Sequence, residues 1–401
     1  MSERIDALIL DSRERGSLAV ARALGPSGYR LAMGGYSARD PGLFTRYAHL
    51  RTLFTPPAVD IDRYAQEIVD WLSEHPCDAT LASSDQTATA LQRRRADLEK
   101  LTGLGVPPSR ALEISLDKQL TLEAAERCGV PTPRTVEARD TGDVLAAAAE
   151  FGYPCVLKPL TSWRLLDEAT GVRVVSALLM DDKDARRHAA ELLGDGRTGL
   201  VQEYATGRRE AITVFRHDNR LTAAFGMAAS RTWPPLGGSS VMRESIPLPE
   251  DALRHADALT EEIGYAGYGE VEFRRTADGR PLIMEINPRF SASVELALRA
   301  GVDFAAMQVE WAAGREPQRS NGYRLGVRLS WLAGEMRLLG NRLVGAPQPR
   351  TPFHRMLGAL VRDYLPPPRI DGIDRHDVRP TLRAITKSVT DAADALSRRD
   401  S

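Results

Sequence analysis

Two neighbouring stretches decide the fold of this chain: residues 269–275 read GEVEFRR, and residues 281–289 read PLIMEINPR. The Asp278-Gly279 dipeptide between them is a common two-residue turn, so we predict an antiparallel hairpin. Apolar residues flank the acidic residues in both stretches. Such flanks favour strands that carry their acidic side chains inside the protein, where a buried carboxylate needs a partner.

The order of side chains along the second stretch suggests what this hairpin binds. Strict alternation places Ile283, Glu285 and Asn287 on one face. Glu272 of the first strand lies beside them if the strands pair, and Arg289 follows on the same face. Two carboxylates and an amide oxygen are ligands that suit Mg²⁺, and a guanidinium offers a planar fork for phosphate. We therefore predict a magnesium and phosphate site, against the alternative of a solvated surface strand.

The start of the chain alternates short apolar runs, over 5–10, 29–33 and 79–82, with helical patterns. This alternation is typical of a doubly wound parallel sheet, which we predict for residues 1–110. Asp11-Ser12 and Ser83-Ser84-Asp85 follow two of the runs, where ligands bind in such sheets, although helix N-capping is the plainer role. No GxGxxG follows the first run, which argues against a dinucleotide fold.

The rest of the chain has two further patterns. Between residues 111 and 317, short strand patterns and hairpin turns predict an antiparallel-rich region. From about residue 318 the composition shifts to Arg, Pro and Leu, and helical patterns cover 325–343, 356–364 and 381–399. We assign the arginine-rich helices to a solvated face or to an oligomer contact. The second assignment is compatible with a homodimer.

The overall composition excludes several classes of protein. The formal net charge is -1, so a basic nucleic-acid binder is disfavoured. The three cysteines, Cys77, Cys128 and Cys155, are far apart and form no CxxC pair, which favours a reducing cytoplasm. No apolar run approaches the length of a membrane span, and the N-terminus does not have the pattern of a signal peptide.

Glu285-Ile286-Asn287-Pro288-Arg289 resembles the E-x-N-x-R signature of the ATP-grasp superfamily, and Val271-Glu272-Phe273 resembles the acidic strand that precedes it. The resemblance covers roughly residues 1–315 and is closest to the carboxylate–amine ligases and the carbamoyl-phosphate-synthase-like group. It implies an ATP-grasp fold of mixed α/β and α+β class. The implied parts are a Rossmann-like pre-ATP-grasp domain over 1–110, an ATP-grasp domain over 111–317 with a lid at about 135–205, and a C-terminal helical extension over 318–401.

The same resemblance implies an ATP site. Two lysines, in a chain with only five, match those that neutralise nucleotide phosphates, and a strand near residue 203 matches the hinge that holds adenine. For Glu210, at the ribose position, an ion pair with Arg208 or Arg209 is an equal alternative. The residues of the implied ATP site are Lys118, Lys158, Glu203, Tyr204, Ala205 and Glu210.

The implied metal ligands are Glu272, Glu285 and Asn287, and the implied catalytic arginines are Arg289 and Arg243. Arg243 resembles a residue that faces the acceptor or a phosphate, although the Gly-Gly-Ser-Ser before it reads equally well as a flexible turn. The glycine-rich loop that often follows the second lysine is missing, which leaves Arg164 or Arg173 to supply charge. A Walker-type GxxxxGK[ST] loop is also absent.

The expected activity is that of an ATP-dependent ligase that activates a carboxylate as an acyl phosphate and couples it to an amine. The expected cofactors are ATP and two Mg²⁺ ions, for which Mn²⁺ can substitute, and the expected substrates are a small carboxylate and an amine, amino acids among them. One alternative is a carboxylase or carbamoyl-phosphate-like enzyme that uses bicarbonate. Another is an ATP-binding regulatory protein without turnover.

Overall fold

The computed structural model describes residues 4–194, 196–234, 238–320, 322–344, 358 and 361–386. Its first unit is a five-stranded parallel sheet in the order β3-β2-β1-β4-β5, as the sequence predicted. The strands are β1 Ile5–Ile9, β2 Leu31–Gly35, β3 Ala48–Leu53, β4 Cys77–Leu81 and β5 Gly103–Gly105, and the helices are α1 Arg15–Leu24, α2 Ile61–Glu74, α3 Asp85–Arg93 and α4 Arg95–Leu98. Sequence reasoning missed β3, which is largely exposed, and β5, which has two glycines in three residues.

The polar residues at the strand ends hold this unit together. Ser84 caps α3, because its hydroxyl accepts a hydrogen bond from the backbone N–H of Thr87 at 3.2 Å. Asp11 adopts a left-handed backbone with φ of 58°. Its carboxylate accepts from the N–H of Ser83 at 2.9 Å and from the hydroxyl of Ser84 at 2.8 Å. The expected capping role is therefore present at Ser84 but not at Asp11-Ser12, because α1 begins after Glu14 without a side-chain cap. Asp11 instead joins the ends of β1 and β4.

The next unit is a small antiparallel sheet with the order β10-β7-β11-β6 and a separate hairpin of β8 and β9. The helices α5 Ser109–Leu116 and α6 Lys118–Arg127 precede it. Its strands are β6 Thr135–Ala138, β7 Cys155–Pro159, β8 Trp163–Leu165, β9 Gly171–Arg173, β10 Ala177–Leu179 and β11 Gly199–Glu203, and its helices are α7 Thr141–Phe151 and α8 Asp182–Leu193. The predicted boundaries at residues 110 and 317 stay predictions.

The β8–β9 hairpin occupies the segment after Lys158, where the sequence analysis found no glycine-rich loop. It reaches the first unit, because Ala169 accepts a hydrogen bond from the N–H of Ile61 at 3.0 Å, and the N–H of Gly171 donates to Ala58 at 3.3 Å. A Cβ on Gly171 would lie 2.1 Å from the ring of Trp163, so only glycine fits there. The small sheet and the first unit are thus joined at this hairpin.

A seven-stranded sheet in the order β16-β15-β12-β13-β14-β17-β18 forms the third unit, and only its β17–β18 pair is parallel. Its strands are β12 Arg208–His217, β13 Arg220–Trp233, β14 Ser239–Ser245, β15 Gly267–Arg275, β16 Pro281–Asn287, β17 Arg328–Ser330 and β18 Arg369–Ile370. Its helices are α9 Glu250–Glu262, α10 Val294–Ala300, α11 Phe304–Ala312 and α12 Leu332–Val344. Both predicted hairpins are present, with positive φ at Asp218, Asn219 and Gly279 in their turns.

A β-bulge in the β15–β16 hairpin corrects the predicted alternation of side chains. Glu272 lies opposite Glu285, but Phe273 lies opposite Ile283, so Met284 is an extra residue without a partner. The bulge turns Ile283 into the same apolar core as Ile286, whereas strict alternation had placed it beside Glu285. The prediction for Ile283 was wrong, because an inserted residue reverses the faces on one side of it.

The C-terminal region differs in part from the predicted helices. Residues 328–330 form β17, so the predicted helix over 325–343 begins later, as α12. Residues 361–363 and 378–386 are helical, and the remainder of the helices predicted over 356–364 and 381–399 lies outside the described residues, apart from helical residue 358 and turn residue 364. Among the described helices, none combines the length and the apolar character that crossing a bilayer requires.

Residues 369–378, which we call the C-terminal clasp, return to the first unit and bury two aspartates. Asp371 forms ion pairs with Arg243 at 2.8 Å and with Arg15. Asp377 forms an ion pair with Arg22 of α1 at 3.0 Å. The clasp therefore connects the first unit to the seven-stranded sheet through buried charge.

Glu295 of α10 lies beside this charge network. It accepts hydrogen bonds from the N–H of Gly372 at 3.0 Å and from Nε of Arg299 at 2.8 Å. Burial, reinforced by the charge of Asp371, raises the pKa of Glu295 above its ordinary value, and Arg299 offsets only part of this. Burial opposes ionisation of Asp371 as well, but Arg243 and Arg15 hold its pKa below the ordinary value.

The raised pKa of Glu295 predicts a pH dependence of stability. The folded chain keeps a proton on Glu295 at pH values where the unfolded chain has lost it. The stability that this proton contributes is fully present below the pKa of Glu295 in the unfolded chain. It is lost as the pH rises through the pKa of Glu295 in the folded chain. We predict that the free energy of unfolding in urea falls more between about pH 5 and about pH 8 in the wild type than in Glu295→Gln. Parallel pH profiles would contradict this assignment.

Candidate active site

Three carboxylates and one amide meet on the β15–β16 hairpin. Glu272 lies opposite Glu285, and Glu270 lies opposite Asn287. Glu270 is 2% exposed, Glu272 6% and Asn287 8%. The amide nitrogen of Asn287 donates to Glu272 at 3.0 Å. The structure thus brings together the three predicted metal ligands and adds Glu270, which sequence reasoning missed although it lies two residues before Glu272.

Glu270 connects this hairpin to the loop that follows it. Its carboxylate accepts hydrogen bonds from the hydroxyls of Ser291, at 3.2 Å, and Ser293. Both serines lie in residues 288–293, between β16 and α10, and this loop carries Arg289. Glu270 therefore holds two side chains of the loop, next to the predicted metal ligands.

Arg209 of β12 hydrogen-bonds to the cluster, whereas the sequence analysis named it only as a possible partner of Glu210. Its guanidinium donates to Glu272. Burial disfavours the charge of Arg209, but Glu272 and Glu285 outweigh burial and raise its pKa. Burial raises the pKa of Glu272; the charge of Arg209 offsets part of that rise, while Glu285 and Glu270 add to it. A cluster of this kind attracts a further cation.

The two predicted phosphate-binding lysines approach the cluster from the small sheet and from α6. Lys158 ends β7, and burial lowers its pKa to about 8, although the charge of Glu285 opposes the change. Lys118 is also buried, and its ammonium donates to the hydroxyl of Ser162 at 2.9 Å. Lys158 is thus within electrostatic reach of both Glu285 and Lys118, which brings these predicted site residues together.

Arg289 joins the hairpin to the first unit. Its Nε donates to Asp85, at the N-terminus of α3, at 2.9 Å. Burial opposes ionisation of Asp85, but the charges of Arg289, Lys118 and Arg173 hold its pKa below the ordinary value. Of the two arginines expected to replace the missing loop, Arg173 is exposed near this pair, whereas Arg164 donates to the carbonyl of Leu192 at 3.4 Å.

The predicted adenine hinge lies at the end of β11. Both oxygens of Glu203 are engaged by Arg134, through its backbone N–H at 3.0 Å and its Nε at 2.8 Å. Tyr204 follows, with the guanidinium of Arg274 at 5.9 Å from its ring centroid, and Ala205 comes next in the turn. Tyr204 and Ala205 lie just beyond the end of β11, where the sequence predicted the hinge.

Glu210 and Arg243 have contacts that differ from the expected roles. Glu210 is fully buried and accepts from Arg208 at 3.0 Å and Arg275 at 2.9 Å, so the ion-pair alternative is present. Arg243 is 1% exposed and donates to Asp371 and to the carbonyl of Ala292. The described hydrogen bonds of Arg243 do not go to the carboxylates of the β15–β16 hairpin. Its role toward an acceptor or a phosphate stays a prediction.

A protein-family model described as "ATP-grasp in the biosynthetic pathway with Ter operon" matches residues 197–335, which contain the hairpin. A formate-dependent phosphoribosylglycinamide formyltransferase of Ignicoccus hospitalis is 29% identical over 210 residues, 48% of this chain and 49% of that protein. An N5-carboxyaminoimidazole ribonucleotide synthase of Mycobacterium tuberculosis is 31% identical over 208 residues, 48% of this chain and 45% of that protein. The matched region spans about half the length of these curated relatives.

The fold has counterparts among solved structures. The biotin carboxylase domain of the Hydrogenobacter thermophilus 2-oxoglutarate carboxylase, in complex with MgADP and bicarbonate, superposes with a TM-score of 0.63 at 19% identity. The match covers 81% of this chain and 74% of that chain. At this identity the similarity concerns the fold. The ATP-grasp family model matches residues 197–335, and the similarity to the curated relatives covers about half of this chain.

Proposed function

We propose that this chain is an ATP-dependent ligase that activates a carboxylate as an acyl phosphate and joins it to an amine, with release of ADP and phosphate. The observation that carries the proposal is the convergence of Glu272 and Glu285 with Lys158 and Arg289 in one partly buried cluster. Oppositely charged groups at this density suit a polyphosphate with its metal ion and have little use in a plain structural core.

The donor set fits Mg²⁺. Three carboxylates and the amide of Asn287 share one hairpin, and carboxylate and amide oxygens are ligands that suit Mg²⁺. Glu272, Glu285 and Asn287 would hold the metal, taken as two ions on the family pattern. Mg²⁺ held there would supply positive charge to neutralise the phosphates.

Side chains of the protein would bind and orient the nucleotide. Lys118, Lys158 and Arg289 would balance the charge that spreads over the transferring phosphoryl group. The hinge at Glu203, Tyr204 and Ala205 would hold adenine, with Glu210 near the ribose. The β8–β9 hairpin, which already bridges to the first unit, would exclude water from the reacting groups.

The proposed reaction has two steps. An oxygen of the substrate carboxylate attacks the γ-phosphorus, and the bond from that phosphorus to the bridging oxygen of ADP breaks. The amine nitrogen then attacks the carbonyl carbon, phosphate leaves, and the nitrogen loses a proton. The second step needs a dry site, since water would hydrolyse the mixed anhydride.

Bicarbonate is a second candidate for the activated acid. It is favoured by the similarity to the ribonucleotide synthase above and to a biotin carboxylase domain solved with bicarbonate. We therefore propose to incubate the chain and MgATP with pools of acids and amines that include bicarbonate, formate and amino acids in pairs. ADP, phosphate and product mass are measured together. Bicarbonate-dependent phosphate release without amino acids would favour carboxylation, and no release with any pool would favour a regulatory protein.

Replacing Glu285 with Gln should lower turnover by about 100-fold or more at saturating Mg²⁺, because the variant loses the charge that holds the metal. Glu244→Gln is the matched control, since Glu244 is an exposed glutamate of the same sheet. The control should turn over at the wild-type rate in the phosphate-release assay. Full activity of E285Q would rule out the role of Glu285.

The pKa of Lys158, about 8, predicts the pH dependence of nucleotide binding. Lys158 is charged below this value and loses its proton as the pH rises through it. We predict that the affinity for MgATP falls between about pH 7 and about pH 9, and that Lys158→Arg flattens the profile because arginine stays charged. Isothermal titration calorimetry measures both, with adenosine as a ligand without phosphates. A wild-type affinity that does not change with pH would exclude Lys158 from the phosphate site.

A further inference from the structure

The loop of residues 288–293 is held from three sides. Glu270 holds it from the hairpin through Ser291 and Ser293. The first unit packs on its backbone, because a Cβ on Gly16 of α1 would lie 3.0 Å from the carbonyl oxygen of Ser291. The third contact is to Ala292, whose carbonyl accepts from Nη2 of Arg243 at 2.8 Å. Arg289 is carried by this loop, so its position depends on all three contacts.

The third contact leads directly to the C-terminal clasp. The same Nη2 of Arg243 donates to Oδ2 of Asp371 at 2.8 Å, and both side chains are almost completely buried. Asp371 is itself fixed by the clasp, since its N–H donates to the carbonyl of Ser330 at 2.8 Å, beside the β17–β18 pair. A buried, fixed carboxylate therefore sets the direction of the arginine that holds the loop.

The buried ion pair of Arg243 and Asp371 contributes little to stability by itself. Burying an ion pair costs desolvation energy, and apolar residues of similar size often stabilise a core as well or better. Nε of Arg243 is also buried without a hydrogen-bond partner among the described residues, which adds to the cost. A pair that is costly to bury but fixed in direction is better suited to orient a neighbouring group.

We infer that Asp371 of the C-terminal clasp is a positioning residue of the active site, which acts through Arg243 on the loop that carries Arg289. This inference rests on the proposed function, because it assumes that Arg289 binds a phosphate. It gives the C-terminal region, which lacks any recognised motif, a defined part in nucleotide binding.

The clasp provides a matched control in Asp377. Asp377 is as deeply buried as Asp371, and it accepts from Arg22 at 3.0 Å and from the hydroxyl of Thr45 at 2.8 Å. These contacts anchor the clasp to the first unit without touching Arg243 or the loop. Asp371→Asn and Asp377→Asn therefore remove similar buried charges, and only the first affects the arginine that holds the loop.

The test measures the affinities for MgATP and for adenosine by calorimetry, with thermal unfolding alongside. We expect Asp371→Asn to bind MgATP about 10-fold more weakly and adenosine within about twofold of the wild type, because only the phosphate contacts are displaced. Loss of a negative charge alone would strengthen binding of a polyphosphate, so weaker binding cannot come from long-range attraction. Asp377→Asn should lower the melting temperature and keep both affinities.

Arg243→Lys is the second variant, used if Asp371→Asn does not fold. It keeps the charge pair but lacks the planar guanidinium whose Nη2 donates to both Asp371 and Ala292, so the same selective loss is expected. Wild-type MgATP affinity in the folded variant, or equal losses for Asp371→Asn and Asp377→Asn, would overturn the inference alone. A wild-type chain that binds adenosine but no MgATP would remove the proposed function and the inference together.

Discussion

Like charge buried on one hairpin is the constraint around which this structure is organised. Glu270, Glu272 and Glu285 lie within two paired strands, and the burial of Glu270 and Glu272 leaves little solvent to offset the repulsion between the three. Such an arrangement persists only when cations surround it. Two units of the fold contribute that positive charge: Arg209 and Arg289 come from the seven-stranded sheet and the loop after it, and Lys158 comes from the small sheet.

The need for cations explains how the units are arranged. The ion pair of Arg289 with Asp85 connects the hairpin to the first sheet, and the contacts of Ala58 and Ile61 connect that sheet to the β8–β9 hairpin. The C-terminal clasp connects the first unit to the seven-stranded sheet through the ion pairs of Asp371 with Arg15 and Arg243. The proposed site for a nucleotide and its metal ion lies where all three units meet, which is why its side chains come from distant parts of the sequence.

Local patterns were sufficient to predict the parallel sheet, both hairpin turns and the grouping of Glu272, Glu285 and Asn287. They failed where a single residue or a distant contact decides the geometry. The bulge at Met284 reversed the face of Ile283, and no pattern marks an inserted residue. Arg209 and the clasp were missed because their partners lie 63 and 128 residues away in the sequence. Such pairings depend on the fold and have no local signature.

The central claim is that the hairpin carboxylates hold a divalent ion together with the phosphates of a nucleotide. Electron paramagnetic resonance of Mn²⁺, added with a non-hydrolysable ATP analogue, tests it most directly. The account predicts that the chain removes the signal of free Mn²⁺ only when the analogue is present, and that Glu272→Gln restores that signal. A free Mn²⁺ signal that the chain and the analogue leave unchanged would contradict it.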